Sequence, residues 1–347
     1  MASKVVVIGS GSWGTAVTQL LAPHVDDVVI WSFEPEVANG INENRHNPHQ
    51  LTNYEVAPNV RATCDFLEAT DGAEAMLIVV PSPFLRSTCK RLAPYASSDV
   101  PILVLTKGVE RGTGCLMADI VEQELGGHER VAVLSGPNHA EEICQSTVSA
   151  AVVASSDPAV ANLFRDLLVC PVFRVYVSDD VRGVEICAAE KNVIAVACGI
   201  AAASGAGDNT LAVLMTRGLA EVTRVAVSLG ADPLTCMGLA GMGDLVATCT
   251  SQHSRNRTFG EAFARGESLE DYERRTGMVV EGAQAASSIL ELAKSKGVEV
   301  PITQAVNAVL YEGMPVLDAV DALLERRPNE EFYGVGHEGH THGERSE

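Results

Sequence analysis

A single lysine, Lys191, lies in a mostly apolar stretch of the sequence between residues 184 and 203. With about 3.6 residues per turn, one face of the predicted helix carries this lysine among small and apolar residues. They are Val184, Cys187, Ala188, Ile194, Ala195 and Cys198. Such a helix is normally buried, and a buried ammonium group is costly unless a partner or a function offsets it. Lys191 therefore either snorkels to solvent or pairs with a structural carboxylate, or it exchanges a proton with a pKa lowered by burial and nearby cations.

A glycine-rich segment, residues 238–257, carries the other polar groups that could do chemistry. Asp244 is a lone acid in apolar surroundings, and Arg255 follows in a loop rich in Ser, Thr and Asn. Arginine offers a rigid fork of donors to a phosphate, and Ser254 and Asn256 add neutral donors. The alternative interpretation is a solvated basic loop.

The chain of 347 residues has a net charge of −20, and 46% of its residues are hydrophobic. This acidity argues against nucleic acid and anionic membranes as partners, because both need basic surfaces. An anionic substrate would need a local cationic pocket, which Lys107, Lys191 and Arg255 could supply. No apolar run reaches the roughly 18 residues of a membrane helix, so we expect no membrane insertion.

The nine cysteines show no CxxC spacing, and several lie in apolar stretches. Such a set indicates reduced core thiols and no zinc site, and no metal is expected. The first residues lead directly into a strand without a signal peptide, so we expect a cytoplasmic protein. The tail, residues 331–347, is predicted to be flexible and solvated, although its three histidines offer weak metal ligands.

The elements that must position these groups begin with an apolar strand at residues 4–8, followed by Gly9, Gly11 and Gly14. This GxGxxG motif lies between a strand and a helix, which is the context in which it binds a dinucleotide. The three glycines permit the turn, the approach of a pyrophosphate and close helix packing, respectively. Trp13 in the turn is predicted to contact the cofactor, with a core position as the alternative.

The end of the second strand, residues 28–32, bears on the choice of cofactor. Glu34 lies 20 residues after Gly14, near the position at which an acid binds the adenine ribose in NAD enzymes. A carboxylate there repels a 2′-phosphate, and no Arg or Lys stands within this strand end. Phe33 and Glu34 therefore favour NAD(H), with NADP(H) as the alternative. Glu34 could instead only open the helix that starts at Pro35.

Strands and helices alternate up to about residue 178, and only helical patterns follow. The sequence therefore predicts an α/β N-terminal Rossmann-like domain over residues 1–178 and an all-α C-terminal domain over residues 179–330. Residues 44–59 are predicted to form a polar loop. The later predicted strands are 75–80, 100–105, 131–134, 148–154 and 172–176, and the C-terminal helices are 181–204, 209–229, 259–265, 281–296, 302–311 and 315–326.

Two of these strands end in groups that suit an anion. Lys107 follows the strand at 100–105, and Gly136 and Asn138 follow the strand at 131–134. In open α/β sheets, ligands bind at the carboxyl ends of the strands. A solvated loop lysine is the alternative for Lys107.

Nine segments of the chain resemble the motifs of the glycerol-3-phosphate dehydrogenases, in that family's order. They are GSGSWGTA (9–16), TKG (106–108), SGPNHA (135–140), KNVIA (191–195), GDNT (207–210), TRGLAE (216–221), GMGDLVATCTS (241–251), SRNR (254–257) and VVEG (279–282). The chain is most similar to the bacterial, cytoplasmic form, which supplies sn-glycerol 3-phosphate to phospholipid synthesis. The resemblance implies reversible hydride transfer between a nicotinamide and carbon 2 of dihydroxyacetone phosphate.

The resemblance also implies a role for each matching residue. Lys191 would give a proton to the carbonyl oxygen in reduction and take it back in oxidation, and Asp244 and Thr248 would orient and tune it. Lys107 would touch both substrate and cofactor. The implied substrate-binding residues are Lys107, Gly136, Asn138, Lys191, Asp244, Ser254, Arg255 and Asn256. The cofactor-binding residues, with the motif glycines, are Gly9, Gly11, Ser12, Trp13, Gly14, Phe33, Lys107, Ala140, Arg255, Val279 and Glu281.

The sequence departs from the family pattern at several places, which include Ala188, Glu190 and Asn138, and it leaves two other functions open. Ser32-Phe33-Glu34 stands where many bacterial members carry an arginine, and His139 stands where an aromatic residue is common. A ketopantoate reductase or β-hydroxyacid dehydrogenase would not need the phosphate loop at 244–256. A non-catalytic NAD(H) sensor would not need Lys191 buried against Asp244. A homodimer is a candidate assembly that the sequence does not decide.

Overall fold

The computed structural model describes residues 2–327, 330–331 and 333–335, so most of the predicted tail and its histidines lie outside the described residues. Its N-terminal part is an eight-stranded sheet in the order β3-β2-β1-β4-β5-β6-β7-β8. The strands are β1 (Ala2–Ile8), β2 (Val25–Trp31), β3 (Val60–Thr63), β4 (Ala75–Ile78), β5 (Ile102–Val104), β6 (Val131–Ser135), β7 (Ser149–Ser155) and β8 (Phe173–Ser178). Neighbouring strands pair in parallel except β6 and β7, which are antiparallel.

Helices pack against both faces of the sheet. They are α1 (Ser12–Leu21), α2 (Pro35–Asn44), α3 (Phe66–Thr70), α4 (Ser82–Leu92), α5 (Met117–Leu125), α6 (Ala140–Cys144) and α7 (Pro158–Leu168). Val5 and Val7 of β1 join one apolar core, and Val6 and Ile8 join the other. This alternation follows from the strand period of two residues. The predicted α/β domain is confirmed.

The predicted helical domain after the last strand is also confirmed. Its helices are α8 (Val181–Ala203), α9 (Asp208–Ser228), α10 (Pro233–Met237), α11 (Asp244–Thr250), α12 (Arg255–Ala264), α13 (Leu269–Thr276), α14 (Glu281–Lys296), α15 (Pro301–Tyr311) and α16 (Val316–Leu324). Short elements account for most differences from the sequence pattern, which gives no signal for β3, α3, α10, α11 or α13. Elements of four to eight residues show too few periods to be recognised.

Helix α8 is the core of the C-terminal domain. Every residue from 183 to 196 is buried, so the apolar stripe around Lys191 belongs to a helix that is enclosed on all sides. Helices α9, α11, α12 and α14 and strand β6 pack against it. By length and composition α8 could cross a membrane, with a mean hydropathy of 1.6, which corrects the expectation that no segment could. However, 78% of that apolar window is buried inside the protein, as in a core helix.

Two glycines bring α12 close to α8. A Cβ atom on Gly199 of α8 would collide with the carbonyl oxygen of Arg257, and one on Gly260 of α12 would collide with that of Val196. The two backbones therefore touch at this crossing, because no larger side chain fits between them. This contact fixes where the start of α12, with its predicted phosphate-binding residues, lies relative to Lys191.

Candidate active site

The centre of the site is the Asp244 carboxylate, which is only 2% exposed. Its Oδ1 atom accepts hydrogen bonds from Lys191 Nζ and, at 3.2 Å, from Thr248 Oγ1. Its Oδ2 atom accepts from Lys107 Nζ at 3.0 Å and from Ser135 Oγ at 3.2 Å. Lys191 Nζ also donates to Thr248 Oγ1 at 2.8 Å. The four residues predicted to be catalytic therefore meet at one carboxylate.

Four separate elements bring these side chains together. Lys107 follows β5 and Ser135 ends β6, and these strands are parallel neighbours whose carboxyl ends lie side by side. Lys191 lies midway along α8. Asp244 and Thr248 lie four residues apart on α11 and so share one face of that helix. The site thus joins the sheet edge to the helical domain.

The charges in this cluster perturb one another. Burial lowers the pKa of Lys191 to about 8; the Asp244 charge opposes this shift and the Lys107 charge adds to it. Burial would raise the pKa of Asp244, but Lys107 and Lys191 outweigh it and hold that pKa at about 2. Lys191 is 5% exposed, so it does not snorkel to solvent. Its amine pairs with a carboxylate and can also exchange a proton near neutral pH.

Ser135 is a site residue that the sequence pattern does not single out as a donor to Asp244. It is fully buried, and its hydroxyl donates to the same Asp244 oxygen that Lys107 contacts. Burying a carboxylate is costly unless its oxygens are hydrogen-bonded, and Ser135 provides one of these bonds. The sequence signal was only a small polar residue at a strand end.

Of the two arginines in the predicted phosphate loop, only Arg255 is available to bind a phosphate, because Arg257 is paired. Ser254 caps α12, since its Oγ accepts a hydrogen bond from the Arg257 backbone N–H at 3.3 Å. The Arg257 guanidinium pairs with Glu261 at 3.2 Å. Arg255 is exposed and, among the described residues, makes no ion pair or side-chain hydrogen bond. A free guanidinium at a helix N-terminus suits a phosphate.

Asn256 lies beside this arginine but is tied into the fold. Its Nδ2 donates to Asn192 Oδ1 at 2.9 Å, and its Oδ1 accepts from the Gly282 backbone N–H at 2.8 Å. Asn192 Nδ2 in turn lies 3.4 Å from Glu281 Oε2. This network joins the starts of α12 and α14 to the residue next to Lys191. Asn192 is therefore a site residue that the sequence pattern does not single out, because it is only one of several polar residues in a mostly apolar helix, with Glu185, Glu190 and Lys191.

The segment after β6 approaches the same cluster. Gly136 has a φ of +149°, and a Cβ there would lie 2.6 Å from the Ala150 carbonyl oxygen, so the contact with β7 requires glycine. Asn138 Nδ2 and His139 Nε2 are buried and have no hydrogen-bond partner among the described residues. Burial and the nearby Lys191 charge lower the pKa of His139. His139, which the sequence left unexplained, thus lies near the Lys191 amine.

The glycine turn after β1 is shaped to receive a dinucleotide. Gly9 has a φ of +120°, and a Cβ on Gly14 would collide with the Gly9 carbonyl oxygen. By contrast, nothing lies within 4 Å of where a Cβ on Gly11 would project. A closed turn with open space above its second glycine fits a pyrophosphate that approaches the backbone.

The predicted polar loop at 44–59 supports this turn. Asn47 is fully buried, and its Nδ2 donates to the Ser10 carbonyl oxygen at 2.8 Å and to Thr15 Oγ1 at 2.9 Å. Ser12 Oγ donates to Gln50 Oε1 at 2.6 Å, so Ser12 is already engaged by this loop. Trp13 is half-buried and packs against the apolar core, which agrees with the alternative of a core position. The contact of Trp13 with the cofactor stays a prediction.

The other residues predicted to bind the cofactor lie at strand and helix ends. Phe33 follows β2 and is 72% exposed, whereas Ala140 begins α6 and is buried. Val279 is half-buried just before α14. Glu34 is the N-cap residue of α2, and Pro35 begins that helix. The position of Glu34 thus fits the alternative interpretation, in which this residue opens the helix.

The structure describes the nine cysteines as free thiols. Among the described residues, no three His, Cys, Asp or Glu side chains form a group that could hold a metal ion.

Comparison with known proteins identifies the family. The N-terminal profile of the NAD-dependent glycerol-3-phosphate dehydrogenases matches residues 4–161, and the C-terminal profile matches residues 180–321. The chain belongs to this family. The NAD(P)+ glycerol-3-phosphate dehydrogenase of Thermobifida fusca is 44% identical over 96% of this chain and 100% of its own length. The crystal structure of glycerol-3-phosphate dehydrogenase from Coxiella burnetii is 35% identical, with a TM-score of 0.89 over 93% of this chain and 99% of that chain.

The reductase alternative shares only the fold with this member of the glycerol-3-phosphate dehydrogenase family. A ketopantoate reductase from Ralstonia eutropha is 18% identical, with a TM-score of 0.57 over 92% of this chain.

Asp244→Asn tests the electrostatics of the cluster. The substitution removes the negative charge that raises the pKa of Lys191, whereas burial and the Lys107 charge, which lower that pKa, remain. We therefore expect the pKa of Lys191 to fall by about one unit or more below its wild-type value. The pH dependence of Lys191 acetylation, followed by peptide mass spectrometry, measures this. Asp271→Asn, which changes an exposed acid on α13, serves as the control, and an unchanged Lys191 profile in Asp244→Asn would refute the assignment.

Proposed function

We propose that this chain interconverts dihydroxyacetone phosphate and sn-glycerol 3-phosphate with NAD(H) or NADP(H). The observation that carries the proposal is the buried Lys191 amine, held by Asp244 and Thr248 at the sheet edge that also bears the glycine turn. When bound, the nicotinamide supplies the hydride in reduction and accepts it in oxidation. Reduction of a ketone also needs a proton at the carbonyl oxygen, and Lys191 is the group suited to provide it.

Lys191 acts as general acid in reduction and as general base in oxidation. Its pKa of about 8 lets both protonation states exist near neutral pH. Asp244 remains ionised and stabilises the ammonium form, and Thr248 fixes the direction of the amine. Lys107, with its side chain 16% exposed, places a second positive charge where alkoxide charge develops on the substrate oxygen.

Arg255 and the N-terminus of α12 bind the substrate phosphate. The guanidinium is free among the described residues, and Ser254 and Asn256 are held rigidly next to it. Binding the phosphate fixes the distance and angle between the carbonyl carbon and the catalytic groups. Gly136 and Asn138 complete the substrate site. The Asn138 Nδ2 group is buried, has no hydrogen-bond partner among the described residues and can donate to the substrate.

The biological setting is proposed from the family resemblance. The product sn-glycerol 3-phosphate provides the backbone for phospholipid synthesis, and the protein works in the cytoplasm. A homodimer is the candidate assembly. Residues 1–178 form the cofactor domain, and residues 179–330 form the domain that closes the cleft. The free thiols support a reducing compartment.

The direct test is NADH oxidation, followed by absorbance, on addition of dihydroxyacetone phosphate. Turnover with at least one reduced nicotinamide is expected. A protein that binds NADH but turns over with neither cofactor would be a sensor rather than a dehydrogenase.

Lys191→Met removes the proton donor and should lower kcat by about 10²–10⁴-fold, the usual contribution of general acid–base catalysis. The Kd for NADH should change little, because the glycine turn is untouched. Stopped-flow turnover and fluorescence titration measure the two quantities, with Lys294→Met, an exposed lysine on α14, as the control. Retention of kcat within tenfold would remove the proposed role from Lys191.

Arg255→Ala removes the proposed phosphate contact and should raise KM for dihydroxyacetone phosphate by about tenfold or more. The same change should leave kcat/KM for dihydroxyacetone, which lacks the phosphate, nearly unaltered. Arg265→Ala at the other end of α12 is the matched control. Equal losses with both substrates would exclude a phosphate contact.

A further inference from the structure

An aromatic cluster holds the Arg91 guanidinium close to the carboxyl end of β2. Arg91 lies in the last turn of α4, and its Cζ atom lies 5.8 Å from the ring centroid of Trp31, 5.9 Å from that of Phe33 and 5.4 Å from that of Phe66. Trp31 and Phe66 stack with their centroids 4.2 Å apart. Cation–π contacts with three rings hold a positive charge beside Phe33.

This strand end is where a dinucleotide places its adenine ribose. The position about 20 residues after the glycine motif contacts the ribose hydroxyls in Rossmann domains, and an arginine nearby accommodates the 2′-phosphate of NADP. Phe33 and Glu34 occupy that position in this chain. The side chain of Arg91 comes from α4, after β4, so inspection of the strand end alone could not reveal it.

Arg91 is available to an anion. Within the described residues it makes no ion pair and no side-chain hydrogen bond, and it is exposed. Arg61 on β3, by contrast, pairs with Asp27 at 3.0 Å and with Glu68 at 2.9 Å. In a chain with a net charge of −20, an arginine free of carboxylates is a local site of attraction for a phosphate.

The acid expected to repel a 2′-phosphate has a partner of its own. Glu34 Oε2 lies 3.5 Å from His49 Nδ1, and Glu36 Oε2 lies 3.5 Å from His49 Nε2. The His49 ring therefore lies between the two carboxylates, and Glu34 faces this ring. The strand end therefore combines an acid that faces His49 with an arginine that has no carboxylate partner among the described residues.

We propose that Arg91 receives the 2′-phosphate of NADP(H) and so allows this enzyme to use both nicotinamide cofactors. The proposal rests on the proposed function and adds the residue that accommodates the second cofactor. Arginine binds phosphate through its fixed fork of donors, and the surrounding rings restrict the guanidinium without neutralising it. NAD(H), which lacks the 2′-phosphate, makes no use of this charge.

Adenosine 2′,5′-bisphosphate and adenosine 5′-monophosphate isolate the contact without any turnover. Calorimetry would give the Kd of each compound for the wild type and for Arg91→Met, Arg91→Lys and the control Lys90→Met. We expect Arg91→Met to weaken the bisphosphate about tenfold and the monophosphate less than about twofold. Arg91→Lys should retain most of the bisphosphate affinity because it keeps the charge, and Lys90→Met should change neither.

The kinetic counterpart compares kcat/KM for NADPH and NADH. Arg91→Met should lower the value for NADPH about tenfold and leave that for NADH nearly unchanged. Equal weakening of the two adenosine compounds would overturn the proposal, because Arg91 would then only support the Phe33 ring. A wild type that binds both compounds equally, or does not use NADPH, would overturn it as well. If the wild type turned over with neither cofactor while Arg91→Met still weakened only the bisphosphate, the dehydrogenase assignment would be refuted and the role of Arg91 in phosphate binding would stand.

Discussion

The site depends on one buried carboxylate that is saturated with hydrogen-bond donors. Asp244 takes two donors on each oxygen, and the bonds come from the ends of β5 and β6, from α8 and from α11. A buried acid with fewer partners would be protonated or expelled to solvent. The ion pairs with Lys107 and Lys191 therefore fix the helical domain to the sheet edge and set the charge of the amine proposed for catalysis.

The packing around α8 explains why an amine can be held there. The helix is enclosed along the stretch around Lys191, so burial lowers the pKa of that amine, and only Asp244 keeps it within a range that proton transfer can use. The glycine contact between α8 and α12 brings Arg255 close to the same region without inserting a side chain. One crossing of two helices thus relates the proposed phosphate site to the proposed acid.

Local signals made much of this visible in the sequence. The GxGxxG turn, the lysine in an apolar helix and the lone Asp244 each stand out against their neighbours. Ser135 and Asn47 do not stand out, because their roles depend on hydrogen bonds to residues far along the chain. Ser135 bonds to Asp244, 109 residues away, and Asn47 bonds to Ser10, 37 residues away. Arg91 does not stand out either, for the same reason: its aromatic neighbours lie on β2, just after β2 and on α3. Periodicity reveals faces of single elements, whereas contacts between elements follow from topology.

The central claim is that the Lys191 amine carries the proton of the reaction, and the pH dependence of both directions tests it most directly. For the free enzyme, kcat/KM for ketone reduction should fall as pH rises through about 8, because reduction needs the ammonium form. The value for alcohol oxidation should rise through the same pKa, because oxidation needs the neutral amine. Profiles that share no inflection, or inflect only near the ordinary lysine pKa of about 10.4, would contradict the account.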